Sequence, residues 1–455
     1  MNISLFMTVA AILGSIYIWI GKSASKNLKT NDDYYLMGRS LSYFQLALTL
    51  LATQLGGGTL IGAAQEAYQK GWIVLLYPLG NCLGFCFLGI KFGGKLRDLN
   101  ISTIAEIFEK IYSSRPLRYI ASSLSIIALF FILTAMVIAA RFFFASMGLE
   151  NPLIFIIFWS ILIAYTVMGG LKAVVNTDIL QALFIIGSIA IAFFSIKFTS
   201  ISKPLPEITT SFGFSKVPWI GWLFMPLLFT LIEQDMGQRC FAAKNSRIIP
   251  FAAITAGISL FICSSVSIYF GILAKRYNLQ FSDGASILLE SVKTFTNPLA
   301  TTLFMGAIFM AVISTADSIL CAISSNLSYD FLSSKKIKTN KQLRLSRLLT
   351  LATGLLSLAI GFFFNNVVGM LILSYELSVC TLFIPIIAAI LMKKPSKLAA
   401  FLSIIAGGLG FITFRFISTP IPKELLTISL SFLGFIVGQK ITNKSVITKE
   451  VVNED

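Results

Sequence analysis

The sequence predicts an all-α polytopic membrane protein whose core is two five-helix halves lying inverted with respect to each other. Three observations predict it. Apolar runs of ~17–25 residues recur along the chain, each long enough to cross a ~30 Å hydrocarbon core. The composition is 56% hydrophobic and 12% charged with no histidine, and mean hydropathy is +0.84. Lys and Arg gather at alternate ends of the runs, and a loop at 198–217 leaves five core runs on either side. A β-barrel would show short alternating strands instead.

Thirteen spans are expected, at roughly 4–21, 41–65, 72–91, 118–146, 152–169, 171–197, 218–240, 248–275, 298–328, 344–364, 366–391, 397–416 and 424–439. Placing the N-terminus outside puts most of the 36 Lys and Arg residues in cytoplasmic loops, as the positive-inside rule requires. The reading is N-out, C-in, in the cell (inner, cytoplasmic) membrane. The chain 1–455 is expected to form one transmembrane domain. It comprises an extra helix and loop (1–40), a first repeat (41–197), an external loop (198–217), a second repeat (218–391), then two extra helices and a short cytoplasmic tail (392–455). An odd number of spans per repeat inverts the second against the first. The net charge of +16 is a topology signal and an attraction to anionic lipid. Without a soluble basic domain, a nucleic-acid partner is not expected.

Run 4–21 lacks a basic n-region, so it reads as a retained helix and not a cleaved signal. Run 41–65 carries Gly56, Gly57 and Gly58 in succession, in LLATQLGGGTLIGAA. Three glycines weaken a helix by roughly 2–3 kcal/mol relative to Ala, which predicts a mid-membrane break with free carbonyls, or else close helix packing. In 72–91, Tyr77 and Asn81 share a face and could line a pocket. Arg141, late in 118–146, could pair with a substrate carboxylate or snorkel to the interface. Run 218–240 holds Trp222, Pro226, Glu233 and Asp235, so it too is expected to be irregular. Trp222 and Tyr375 could offer a cation–π face. Glu376 lies about ten residues into 366–391, where an ionisable group costs ~2.5–3.5 kcal/mol and needs a cavity or a partner. The six cysteines (82, 86, 240, 263, 321, 380) show no metal or disulfide spacing.

Run 298–328 contains the most informative stretch, MAVISTADSILCAISSNL (310–327). At ~100° per residue, Ala311, Ser314, Thr315 and Ser318 fall on one stripe. The carbonyl of Ala311 and the hydroxyls of Ser314 and Thr315 offer neutral oxygens suited to a partly dehydrated hard cation such as Na⁺. The alternative is that both hydroxyls bond back to the preceding turn. Asp317 lies ~120–160° round the helix and reads as a structural polar contact.

Three stretches together resemble the sodium/solute symporter family of proline, pantothenate, choline and sugar cotransporters. They are DYYLMGRSL (33–41), VMGGLKAVVNTDILQ (167–181) and AVISTADSILCAISSNLSYDF (311–331). EQDMGQRCFAAK (233–244) is a weaker match. The resemblance implies a leucine-transporter-type fold and a sodium site joining the first and eighth core helices. Carried over by position, its ligands are the carbonyls of Ala52, Leu55 and Ala311 and the hydroxyls of Ser314 and Thr315. Asp178 matches an acidic residue near that site; its other reading is a helix N-terminal charge. Asn176 stands where the family usually has Trp. Gly56 and Gly58 replace polar side chains of sugar-type members, and Thr59 replaces a long amide, which argues against a sugar.

The expected function is Na⁺-coupled symport of a small organic solute, amino acid-like, choline- or betaine-like, or a monocarboxylate, by alternating access. Na⁺ is the expected coupling ion, with no organic cofactor, no enzymatic activity and no obligate protein partner beyond the bilayer. The candidate substrate residues are Gly56, Gly57, Gly58, Thr59, Tyr77, Asn81, Arg141, Trp222, Glu233, Tyr375 and Glu376. Two rivals stand beside this reading: proton coupling through a carboxylate such as Asp178, Glu233 or Glu376, and a solute-sensing receptor with a separate partner.

Overall fold

The computed structural model describes residues 3–26, 28–149, 151–196, 219–281, 286–332, 339–417 and 421–452. The loop expected at 198–217 lies outside the described residues. Nine helical stretches among those described are long and apolar enough to span a membrane. Two are too long for one crossing: Gly58–Asp98 and Pro152–Phe194 run for 41 and 43 residues. At ~1.5 Å per residue each covers about twice a ~30 Å core. Each is also broken part-way. Gly71 (φ 72°) interrupts the first and Gly170 (φ 55°) the second. A Cβ on Gly170 would stand 2.3 Å from the carbonyl oxygen of Tyr34, so both the backbone angle and the close approach require glycine there.

We label the main helices α1 (Ile3–Ser25), α2 (Tyr43–Gln54), α3 (Ala63–Lys70), α4 (Leu76–Phe87), α5 (Arg115–Ser146), α6 (Pro152–Phe194), α7 (Trp219–Thr230), α8 (Gln234–Ala242), α9 (Ile249–Arg276), α10 (Pro298–Asn326), α11 (Thr339–Gly361), α12 (Val367–Ser378), α13 (Ile384–Leu391), α14 (Lys397–Phe416) and α15 (Lys423–Val452). Their starts follow capping rules. Ser42 and Gln45 form a reciprocal capping box before α2, and Asn297 caps α10 just ahead of Pro298.

Packing sorts the helices into two groups. α10 packs against α5, α6 and α11 as a frame, whereas α9 packs against α2, α3 and α4, and α4 against α7. α10 is almost wholly buried, and α2 and α8 meet it from the second group. Where they meet, both incoming helices are interrupted. α2 stops at Gln54 and Leu55 leaves helical geometry (φ −84°, ψ 62°); a widened turn over Gly58–Gly62 then leads into α3. α7, with Pro226 inside it, stops at Thr230, and Glu233 is extended (φ −69°, ψ 133°) before α8 begins. At the break in α2 the carbonyls of Ala52 and Thr53 accept from hydroxyls of α10.

Candidate functional site

The break in α2 faces the hydroxyl pair of α10. Ser314 Oγ lies 2.8 Å from the carbonyl oxygen of Ala52 and 3.1 Å from that of Ala311. Thr315 Oγ1 lies 2.8 Å from the carbonyl of Thr53 and 3.1 Å from that of Ala311. Each hydroxyl has one proton for two carbonyls. The cluster is therefore rich in acceptors, and a small cation could draw on all of its oxygens at once. Ala52, Ala311 and Ser314 are fully buried. Thr315 meets Thr53 and not Leu55, whose carbonyl sits one step further into the break. Counting helical stripes could not have chosen between them, because the choice depends on where α2 unwinds. Gly56 permits the approach: a Cβ there would stand 2.6 Å from Thr315 Oγ1. At Gly58 it would meet Leu371 at 2.6 Å, so the triple glycine provides both a break and close packing.

One turn along, a buried ionic cluster ties four helices together. Arg239 of α8 donates to Asp178 at 3.3 Å, Ser318 at 2.6 Å, Thr49 at 2.9 Å and the carbonyl of Asp235 at 3.1 Å. Thr49 Oγ1 in turn donates to Asp178 at 2.5 Å. Arg239 and Asp178 are fully buried. Thr53 connects this cluster to the hydroxyl pair, donating to the Thr49 carbonyl at 2.7 Å and lying 3.1 Å from Ser318 Oγ. Asp178 sits well inside α6, beyond the break at Gly170, so it is not a helix N-terminal charge. Asp317 accepts a hydrogen bond from Tyr165 and so ties α10 to α6.

The candidate solute residues separate into two sets. A cavity of about 260 Å³ is lined by Gly58, Tyr77, Trp222, Tyr375 and Glu376 among others. Adjoining it, a chamber of about 30 Å³ is lined by Gly56, Gly58, Thr59, Tyr77, Glu233, Thr315 and Tyr375, among others. The Tyr77 and Tyr375 hydroxyls, 3.1 Å apart, belong to both linings. Thr59 turns its hydroxyl to the Gly56 carbonyl at 2.9 Å. Gly57 packs against Val312 and Ala139, and Asn81 holds Gln54 by a 2.9 Å bond; neither Gly57 nor Asn81 lines these spaces. Trp222 lies beneath the Lys70 ammonium, 4.4 Å from its ring centroid. Glu376 pairs with Lys423 at 2.7 Å and Arg415 at 3.7 Å. Arg141 lies apart from both spaces, donating to Asn365 and to the carbonyls of Phe362 and Phe364.

Interrupted helices that meet around neutral oxygens are the arrangement secondary transporters use at their ligand sites. A profile of the sodium:solute symporter family matches residues 34–407, and the chain belongs to that family. It is a symporter with Na⁺ as its coupling ion. Its fold is similar to the substrate-bound outward-open state of a Na⁺-coupled sialic acid symporter, with a TM-score of 0.77 at 18% identity over 96% of each chain. It is also similar to Mhp1, a nucleobase-cation-symport-1 family transporter, closed with bromovinylhydantoin bound (TM-score 0.62, 15% identity, 90% of this chain and 94% of that one). A third likeness is to MhsT in complex with L-phenylalanine (TM-score 0.55, 15% identity, 87% of this chain and 99% of that one). At these identities the likeness establishes the leucine-transporter-type fold and leaves the solute to be argued from this chain.

Proposed function

We propose that the protein moves a small organic solute inward together with Na⁺ across the cytoplasmic membrane, with thirteen spans, the N-terminus outside and the C-terminus inside. Na⁺ is held by the carbonyls of Ala52, Thr53 and Ala311 and the hydroxyls of Ser314 and Thr315, Thr53 taking the place expected for Leu55. Asp178 supplies negative charge one turn away. The observation that carries this is the double contact from Ser314 and Thr315 to the Ala52 and Thr53 carbonyls, both at 2.8 Å. Na⁺ there ties α2 to α10 and favours the conformation with its cavity on the α3–α4 side. The solute occupies that cavity, and its head group reaches past Tyr77 and Tyr375 to the small chamber beside Gly56, Gly58, Thr59 and Glu233.

Coupling then follows from linkage, since each ligand raises affinity for the other by the same factor. A 100 mV potential contributes roughly 2.3 kcal/mol per charge, and a tenfold Na⁺ gradient adds ~1.4 kcal/mol. One Na⁺ therefore supports about 500-fold accumulation of an uncharged solute. The test is the thermal midpoint of the purified protein in Na⁺ against K⁺ at equal ionic strength. A Na⁺-specific rise that Thr315→Ala abolishes is expected; equal midpoints in the two cations would sink the site.

A further inference from the structure

We infer that the transported solute carries a cationic nitrogen, with the Glu233 carboxylate as its counter-ion. This rests on the reading that the solute's head group reaches the small chamber. Among the described residues lining that chamber, Glu233 is the only one with a carboxylate or cationic side chain. It is 5% exposed, and its Oε2 is buried without a hydrogen-bond partner. The nearest fixed cation along the chain, Arg239, is committed elsewhere: to Thr49, Asp178, Ser318 and the Asp235 carbonyl. Asp235, next but one in sequence, brings its carboxyl within hydrogen-bonding reach of that of Glu233, so the neighbourhood holds two acids and no free cation. A carboxylate in that position needs a positive partner, since an unpaired charge at membrane depth is costly.

The rest of the lining says which kind. Thr59 already donates to the Gly56 carbonyl, and Thr53 and Thr315 donate to carbonyls too. These hydroxyls are thus engaged with the backbone, and the strong contact left on offer is the charge-assisted one from Glu233. Ile132, Met136, Ile319 and Leu371 form apolar walls, with Tyr77 and Tyr375 above. The Phe229 ring stands 4.5 Å from that of Tyr375. Apolar walls, aromatic rings and one carboxylate suit an alkylammonium head group. The opposite charge has no partner. Among the described residues lining the larger cavity, Lys70 is the sole cationic one, and it is paired to Glu66 at 2.6 Å. Arg141, the other candidate for holding a carboxylate, is turned to the carbonyls of Phe362 and Phe364.

The test uses the full chain in NaCl, following its thermal midpoint against methylammonium, choline, putrescine and lactate. A cationic probe is expected to raise the midpoint and lactate to leave it unchanged. Glu233→Gln should weaken the apparent affinity for that probe by about tenfold or more, as loss of a charged hydrogen-bond partner predicts. Glu233→Asp should retain part of it, and both variants should keep the response to Na⁺ over K⁺. Stabilisation by lactate, or no response to any cationic probe, overturns the assignment. So does loss of the Na⁺ response in Glu233→Gln, which would place the carboxylate in the Na⁺ site. A wild-type protein indifferent to Na⁺ sinks the transport reading itself, so the two failures are distinguishable.

Discussion

Ser314 and Thr315 contribute differently although they are neighbours. Ser314 reaches Ala52, and Thr315 reaches Thr53 and packs its hydroxyl under Gly56. Gly56→Ala should therefore act on Na⁺ through Thr315, because a Cβ 2.6 Å from its Oγ1 must displace the hydroxyl. A fall in apparent Na⁺ affinity of about tenfold, or ~1.4 kcal/mol, is expected in Na⁺-dependent uptake by proteoliposomes. Thr315→Ser keeps the oxygen and should stay near wild type, whereas Thr315→Ala should not. Unchanged Na⁺ dependence in both Gly56→Ala and Thr315→Ala would remove Thr315 from the site. The hydroxyl stripe was legible in the sequence because helical periodicity fixes which side chains share a face. The carbonyl partners were less so, since a backbone oxygen is freed only where the helix actually breaks.

At the scale of elements, the Arg239–Asp178 pair joins α8 to α6, and Thr49 and Ser318 bring in α2 and α10. Arg239→Gln leaves Asp178 buried without its cation and should destabilise by roughly 3–5 kcal/mol. Adding Asp178→Asn should recover part of that loss, read as thermal midpoints of the single and double variants; a double variant no better than Arg239→Gln would deny the pairing. Sequence reading had Asp178 but not its partner, because nothing local says that residues 61 apart meet across two helices. A second cluster lies at the far end of α10. Arg118 of α5 binds Asp330 at 2.8 Å and Glu109 at 2.7 Å. The guanidinium groups of Arg115 and Arg118 hold the Glu109 carboxyl below its usual range. A depressed carboxylate stabilises the fold above its unfolded value of ~4.3 and loses that contribution as pH falls through the folded value. The midpoint difference between wild type and Glu109→Gln should thus be constant at neutral pH and shrink once pH drops below ~4. A difference that persists unchanged in acid would assign it to packing.

For the whole molecule, span length and Gly-broken helices were readable from hydropathy. The division into two packing groups was not, because it is a property of contacts between distant segments. That division gives the two ends of the molecule different characters. On the α3–α4 side lies the cavity of about 260 Å³. The other end is tied together by bonds from Arg39 to the Ile101 carbonyl at 3.1 Å, Ile104 N to Gln234 at 2.7 Å and Gln238 to the Tyr35 carbonyl at 2.8 Å. Leu41 also pairs its backbone with Ala242 and Lys244. If Na⁺ favours this conformation, accessibility at the two ends must shift in opposite directions when Na⁺ replaces K⁺. Leu371 lines both cavities, whereas Ile104 is buried against Gly237. In a background with Cys82 and Cys86 replaced by Ser, Leu371→Cys should react faster with a membrane-impermeant maleimide in Na⁺, and Ile104→Cys more slowly. A Na⁺ that binds only one conformation shifts the balance by its differential affinity. A threefold to tenfold rate change therefore reports ~0.7–1.4 kcal/mol of coupling between the ion and the conformation. Parallel changes at both positions would mean that Na⁺ alters overall packing and does not select between two states, and alternating access driven by Na⁺ would then have to be abandoned.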